Sequence, residues 1–182
     1  MTFSANDTIF VAGVRKNLYF WTVPKGELLR SIDAHFGRIL NLCSVTINSA
    51  DLLISSSLDH SVKVWNMENI FEKAFSIPVM DQSIEKINIP ENSESVVIVQ
   101  TRKYLGLWDI RSHKFVKSLS ASSHAAIITD SLASSDGMKV LSIESDNLLL
   151  WDLRTQSVVQ QMNAPNVHQI LFLNQERMIV DQ

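Results

Sequence analysis

Cysteine is almost absent from this chain, glycine is scarce, and charge of one sign never accumulates; each shortage removes a class of function. The single cysteine, Cys43, rules out an internal disulfide and suits a reducing compartment. It sits in the apolar-rich run Ile39-Leu40-Asn41-Leu42-Cys43, where burial as a small hydrophobe explains it better than a nucleophilic role. Lys+Arg number 16 against 19 Asp+Glu, a net charge of −3, so no positive field is available to gather phosphates and nucleic acid is not an expected partner. No stretch approaches the roughly 20 apolar residues a bilayer-crossing helix takes. The segment Met1-Thr2-Phe3-Ser4-Ala5-Asn6-Asp7 lacks the basic and apolar regions of a signal peptide. Membrane insertion is therefore not expected, and a cytoplasmic location is, with the nucleus left open.

Reactive constellations are missing too. The five histidines, His35, His60, His113, His124 and His168, include no pair at metal-ligand spacing, and the 5 glycines form no phosphate-cradling loop. Ser55, Ser56 and Ser57 lie in a strand-like run and not in a Gly-x-Ser-x-Gly elbow. No catalytic residue, metal or cofactor is expected. With 46% hydrophobic and 19% charged residues, the chain instead has the composition of an ordered domain able to bury a core.

What the sequence does have is a period. Its four tryptophans, Trp21, Trp65, Trp108 and Trp151, are separated by 44, 43 and 43 residues, the repeat length of four-stranded propeller blades. Each closes a strand-like pentad: Asn17-Leu18-Tyr19-Phe20-Trp21, Ser61-Val62-Lys63-Val64-Trp65, Tyr104-Leu105-Gly106-Leu107-Trp108 and Asn147-Leu148-Leu149-Leu150-Trp151. A second β-rich run lies upstream of each, at Thr8–Ala12, Leu52–Ser57, Ser95–Val99 and Lys139–Ile143. Further apolar runs before and after bring the count to four strands per period.

These endings, Val62-Lys63-Val64-Trp65-Asn66, Leu105-Gly106-Leu107-Trp108-Asp109 and Leu149-Leu150-Trp151-Asp152, resemble the strand that gives WD40 repeats their name, and the likeness covers nearly the whole chain. The resemblance implies an all-β fold, a WD40-type β-propeller segment of about four and a half four-stranded blades over residues 1–182, with blades near 1–32, 33–76, 77–119 and 120–162 and a partial unit at 163–182. The second blade fits the family pattern best. There the family's structural tetrad carries over to His35, Ser57, Asp59 and Trp65, with Ser55 an alternative for the serine. Position 102 is Arg and position 145 Ser where the tetrad aspartate belongs, and Gln82 falls near the expected third-blade histidine, so blades three and four are expected to rely on packing.

Too few residues precede Thr8 for a first strand in blade one, and the last unit has two strands, so an incomplete ring is expected, one that needs further blades or a partner chain. On the family's geometry the loops joining second to third strands and blade to blade share one face. That puts Arg15, Lys16, Phe36, Arg38, Leu58, His60, Arg102 and Lys103 on a candidate partner-binding surface. The implied function is a non-catalytic protein-protein interaction scaffold within a larger protein or assembly; WD-repeat tails resembling this one occur beside NACHT-type nucleotide-binding domains. The alternative is a propeller that presents substrate within a multi-component enzyme.

Overall fold

The computed structural model describes all residues except 5, 48, 70–72, 78–83, 91–94, 120–126, 168, 175–176 and 182. Gln82, His124 and His168 lie outside the described residues. Those described form eighteen strands and no helix. The chain divides into two compact units, Met1–Ile87 and Asn88–Gln182.

The first unit holds two antiparallel sheets, each in simple sequence order. One is β1 (Thr2–Phe3), β2 (Ile9–Val14), β3 (Asn17–Thr22) and β4 (Leu28–Asp33); the other is β5 (Ile39–Ile47), β6 (Ala50–Ser57), β7 (Val62–Asn66) and β8 (Lys73–Ile77). The second unit contains β10 (Val96–Gln100), β11 (Leu105–Asp109) and β12 (Lys114–Leu119), with β9 (Lys86–Asn88) starting just before the division. It continues with β13 (Ile128–Ala133), β14 (Lys139–Glu144), β15 (Asn147–Asp152) and β16 (Ser157–Asn163), then a hairpin of β17 (Gln169–Asn174) and β18 (Arg177–Asp181). These are four four-stranded blades and two strands of a fifth.

β1 corrects the expectation of a three-stranded first blade. Two residues suffice, with Thr2 opposite Val11 and Phe3 opposite Phe10, because the turn after them is built from side chains. Ser4 Oγ donates to Asn6 Oδ1 at 2.8 Å and accepts the Ile9 N–H at 3.0 Å, while the Ser4 N–H donates to Ile9 O at 2.8 Å. Blade four repeats this at its own first turn, where Ser134 Oγ donates to Asp136 Oδ1 at 2.5 Å and accepts the Lys139 N–H at 2.9 Å.

The tryptophan spacing marks one structural event repeated four times. Trp21, Trp65, Trp108 and Trp151 stand opposite Phe10, Leu53, Val97 and Val140 on the second strand of each blade. Each also marks a register shift against the fourth strand, the bulge that sharpens twist near a sheet's rim. The residue after tryptophan closes the strand for a physical reason: Asn66, Asp109 and Asp152 each accept backbone N–H groups of the following turn through Oδ1, from Glu68 at 2.8 Å, Arg111 at 2.9 Å and Arg154 at 2.7 Å.

Cores lie between successive blade faces. In the first unit Val11, Leu18 and Phe20 of blade one pack with Ile39, Leu53, Trp65 and Met67 of blade two. In the second, Ile98, Leu105 and Leu107 pack with Ile128, Val140, Leu149 and Trp151, and Leu141, Ile143 and Leu148 pack with Val167 and Ile170. Both faces of a blade are thus covered, which is why β15 is buried at consecutive positions such as Leu148-Leu149 instead of alternating. The outer strands β12 and β16 are exposed along most of their length.

Candidate functional site

The polar center of blade two is a chain of donors. On β6, Ser55 lies two residues beyond Leu53, the partner of Trp65, so its hydroxyl meets the indole diagonally across the hairpin. Trp65 Nε1–H donates to Ser55 Oγ at 2.9 Å, and Ser55 Oγ lies 2.8 Å from His35 Nε2. His35 Nδ1 is 2.9 Å from Asp59 Oδ2 and 3.1 Å from Ser61 Oγ. One assignment satisfies every member: a neutral imidazole donating from Nδ1 to the carboxylate and accepting the serine hydroxyl proton at Nε2.

Asp59 also accepts the Phe36 N–H at 2.9 Å, the Ser61 N–H at 3.0 Å and the Ser61 hydroxyl at 2.6 Å. Burial works against its charge, yet the bonds from Ser61, Phe36 and His35 outweigh it and hold the carboxyl well below the usual range. Because the folded-state pKa is depressed, the stability this group contributes is present above its unfolded value near 4 and is lost as pH falls below it.

Ser57, expected in the tetrad, is not part of this chain of bonds. It lies beyond the last β6–β7 pair, Ser56 with Val62, too far along the strand for the Trp65 indole. Its hydroxyl instead accepts the Asp59 N–H at 3.1 Å and caps the turn. Ser61 and Gly37, which the family pattern does not mark, also contribute. A Cβ on Gly37 would stand 2.7 Å from Asp59 N and 3.1 Å from Leu58 C, so only glycine lets the link between blades lie against the turn.

The other blades keep less. In blade four Trp151 Nε1–H donates to Ser142 Oγ at 2.9 Å, and Ser142 lies 3.4 Å from Glu144 Oε1, so half a network survives where packing alone was expected. Burial pushes the Glu144 carboxyl up, against the opposing bond from Ser142. In blade three the equivalent of the serine is Val99, opposite Gly106, and the buried Trp108 Nε1 has no partner among the described residues. Blade one has Ala12 there, opposite Tyr19, and Trp21 stacks on Tyr19 with ring centroids 5.7 Å apart.

Six of the candidate surface residues gather at one end of the first unit. Arg15 and Lys16 form the β2–β3 turn, Phe36 and Arg38 the link between blades, and Leu58 and His60 the β6–β7 turn. The backbone stitches these loops together: the Ile39 N–H donates to Arg15 O at 2.7 Å, the Leu58 N–H to Arg38 O at 2.9 Å, and the Ala34 N–H to Lys16 O at 3.1 Å. Phe36 is 96% exposed, Leu58 is half exposed, and both arginines are exposed. Lys16 pairs with Asp33 at 2.9 Å. In the second unit, Arg102 and Lys103 are exposed in the β10–β11 turn, and the same stitch recurs, with the Ile128 N–H donating to Arg102 O at 2.8 Å.

At the opposite end of blades one and two, an open cavity of about 510 Å³ is lined by Ser4, Asn6, Ile9, Asp51, Met67 and Glu68 among others. Among the described residues no group of three His, Cys, Asp or Glu stands close enough to hold a metal ion. Burial pushes the Cys43 thiol up to about 12, which keeps it protonated. Among the described residues no helix is long and apolar enough to cross a membrane.

Repeated four-stranded blades, each with a tryptophan-marked bulge and three of the four with an Asx cap after it, define a WD40-type β-propeller segment. The sequence model of the NWD2 C-terminal beta-propeller matches residues 74–181, more than half of the chain, and the chain belongs to that family. It is similar to Nuclear distribution protein PAC1 of Arthroderma otae, 27% identical over 142 residues, 73% of this chain and 30% of that protein. It is also similar to Autophagy-related protein 16 of Arabidopsis thaliana, 21% identical over 162 residues, 87% of this chain and 30% of that protein. A shorter likeness, 32% over 60 residues, links it to Protein ROOT INITIATION DEFECTIVE 3 of the same plant, covering 33% of this chain and 13% of that protein. The chain thus spans about a third of the length of the first two relatives.

Proposed function

We propose that the chain is a non-catalytic protein-interaction scaffold of the cytoplasm that works as part of a larger propeller, completed by further blades or a partner chain. The observation that carries this is the stitched end of blades one and two. A buried hydrogen-bond network, closed by Asp59 and His35, fixes loops whose outward side chains are Phe36, Arg38, Arg15 and Leu58. A rigid sheet frame with variable exposed loops is the arrangement on which recognition is usually built. The match to a family of propellers supports the same reading. The matching family is by its description a C-terminal propeller, which favors a tail carried by a larger protein, such as a NACHT-type signalling ATPase, over a free-standing adaptor.

The test is affinity capture from cell extract with two charge-reversed variants: Arg15→Glu with Lys16→Glu and Arg38→Glu, and separately Arg102→Glu with Lys103→Glu. Partner recovery is expected to fall in at least one variant while the melting temperature holds. Unchanged recovery in both removes the face from the account.

A further inference from the structure

We infer that the Phe36 corner of the first unit docks an acidic peptide segment that carries one apolar anchor side chain; this rests on the scaffold reading above and names its partner chemistry. Phe36 is 96% exposed, the highest value among the large hydrophobic side chains of the described residues. Loose backbone does not account for that exposure. The Phe36 N–H is held by Asp59 at 2.9 Å, His35 before it is buried in the blade-two network, Gly37 after it lies against the Leu58–Asp59 backbone, and Arg38 O accepts the Leu58 N–H at 2.9 Å. An aromatic ring held in water at a fixed place is a preorganized contact, because the ordering cost of its loop is met before any partner arrives. Leu58, 49% exposed, extends the apolar spot from the adjoining turn.

Charge sets the partner's sign. Lys63 Nζ stands 5.7 Å from the Phe36 ring centroid, and Arg15, Lys16 and Arg38 lie in the neighboring stitched loops. Among the described residues of these loops the carboxylates of Asp33 and Asp59 are both engaged, Asp33 with Lys16, and Asp59 with His35, Ser61 and the Phe36 N–H. Neither the Arg15 nor the Arg38 guanidinium has an ion-pair partner among the described residues. Against a chain carrying −3 overall, this corner is locally positive. A few cations around an apolar center suit carboxylates flanking a hydrophobic side chain; a nucleic-acid backbone is tracked by longer rows of cations.

The experiment pans a random-peptide display library against the immobilized 182-residue chain and measures the enriched consensus as a labelled synthetic peptide by fluorescence anisotropy. The expected consensus places Asp and Glu around one Leu, Phe or Trp. Phe36→Ala, at a side chain that packs on little of its own chain, is expected to leave the melting curve unchanged and weaken binding roughly thirty-fold. Arg15→Glu with Arg38→Glu is expected to weaken it about tenfold, less at high salt. Enriched peptides that lack acidic residues, or that bind Phe36→Ala as well as wild type, overturn this proposal and leave the scaffold reading standing. No enrichment at all overturns both. A labelled oligothymidylate that binds as tightly as the peptide overturns the peptide class in favor of single-stranded nucleic acid stacked on the ring.

Discussion

Replacing Ser55 by Ala should be far more damaging than replacing Ser57 by Ala, although the two serines are two residues apart on one strand and both are fully buried. Ser55 Oγ accepts from Trp65 Nε1 at 2.9 Å and bonds His35 Nε2 at 2.8 Å. Its loss removes this bond from two buried polar atoms, each at a cost of about 1–3 kcal/mol, so the expected destabilization is about 2–6 kcal/mol. Ser57 gives up one bond, to the Asp59 N–H at 3.1 Å in a turn that water can reach, which is worth about 1 kcal/mol. Urea denaturation followed by tryptophan fluorescence reads both variants, with Ser55→Thr as the control that keeps a hydroxyl and stays nearer to wild type. Equal midpoints for the two alanine variants, or a lower one for Ser57→Ala, would refute the donor chain drawn through Ser55.

Three further outcomes follow from the same geometry. Val99→Thr places a hydroxyl diagonally across the hairpin from the Trp108 Nε1, unpartnered among the described residues, with little change in volume, and should be neutral or stabilizing by up to about 1 kcal/mol in urea melts; a clear loss of stability would show that the indole does not need a partner. Glu144→Gln removes a buried carboxylate whose folded pKa is raised, so the wild-type penalty is absent at low pH and grows as pH rises through the folded value. The variant should melt higher than wild type at neutral pH and no higher in acid, and a pH-independent difference would contradict this. Gly37→Ala should cost about 1–3 kcal/mol by forcing the link off the Asp59 backbone, and it should weaken partner binding beyond what Phe36→Ala alone removes from an intact loop; calorimetric melts and binding titrations check the two parts.

The blades were legible because tryptophan occupies one register position in each, and the Asx residue after Trp65, Trp108 and Trp151 caps its own turn. β1 was not read, since two residues carry no periodicity. Its signal is the Ser4-x-Asn6 turn, the same side-chain pattern as Ser134-x-Asp136. Sequence alone does not separate Ser55 from Ser57, because counting back from tryptophan is ambiguous until the hairpin register is known. Five residues intervene between the paired Ser56 and Val62 of blade two, but four between the equivalent pair Ile143 and Leu148 of blade four, which moves the serine from ten to nine positions before its tryptophan. The resemblance to the WD40 family implies that the candidate loops share one end of the blades, whereas the near-total exposure of Phe36 and the pairing of Lys16 with Asp33 are three-dimensional facts with no signature in the residue order.

The central claim, that the stitched end of blades one and two is the recognition surface, is tested most directly by hydrogen–deuterium exchange of the chain with and without its captured partner. New protection is predicted in peptides spanning 14–17, 34–39 and 57–61. Protection that falls instead on the opposite turns, around Ser4–Thr8 and Ser49–Asp51, or along the outer strands, would contradict it.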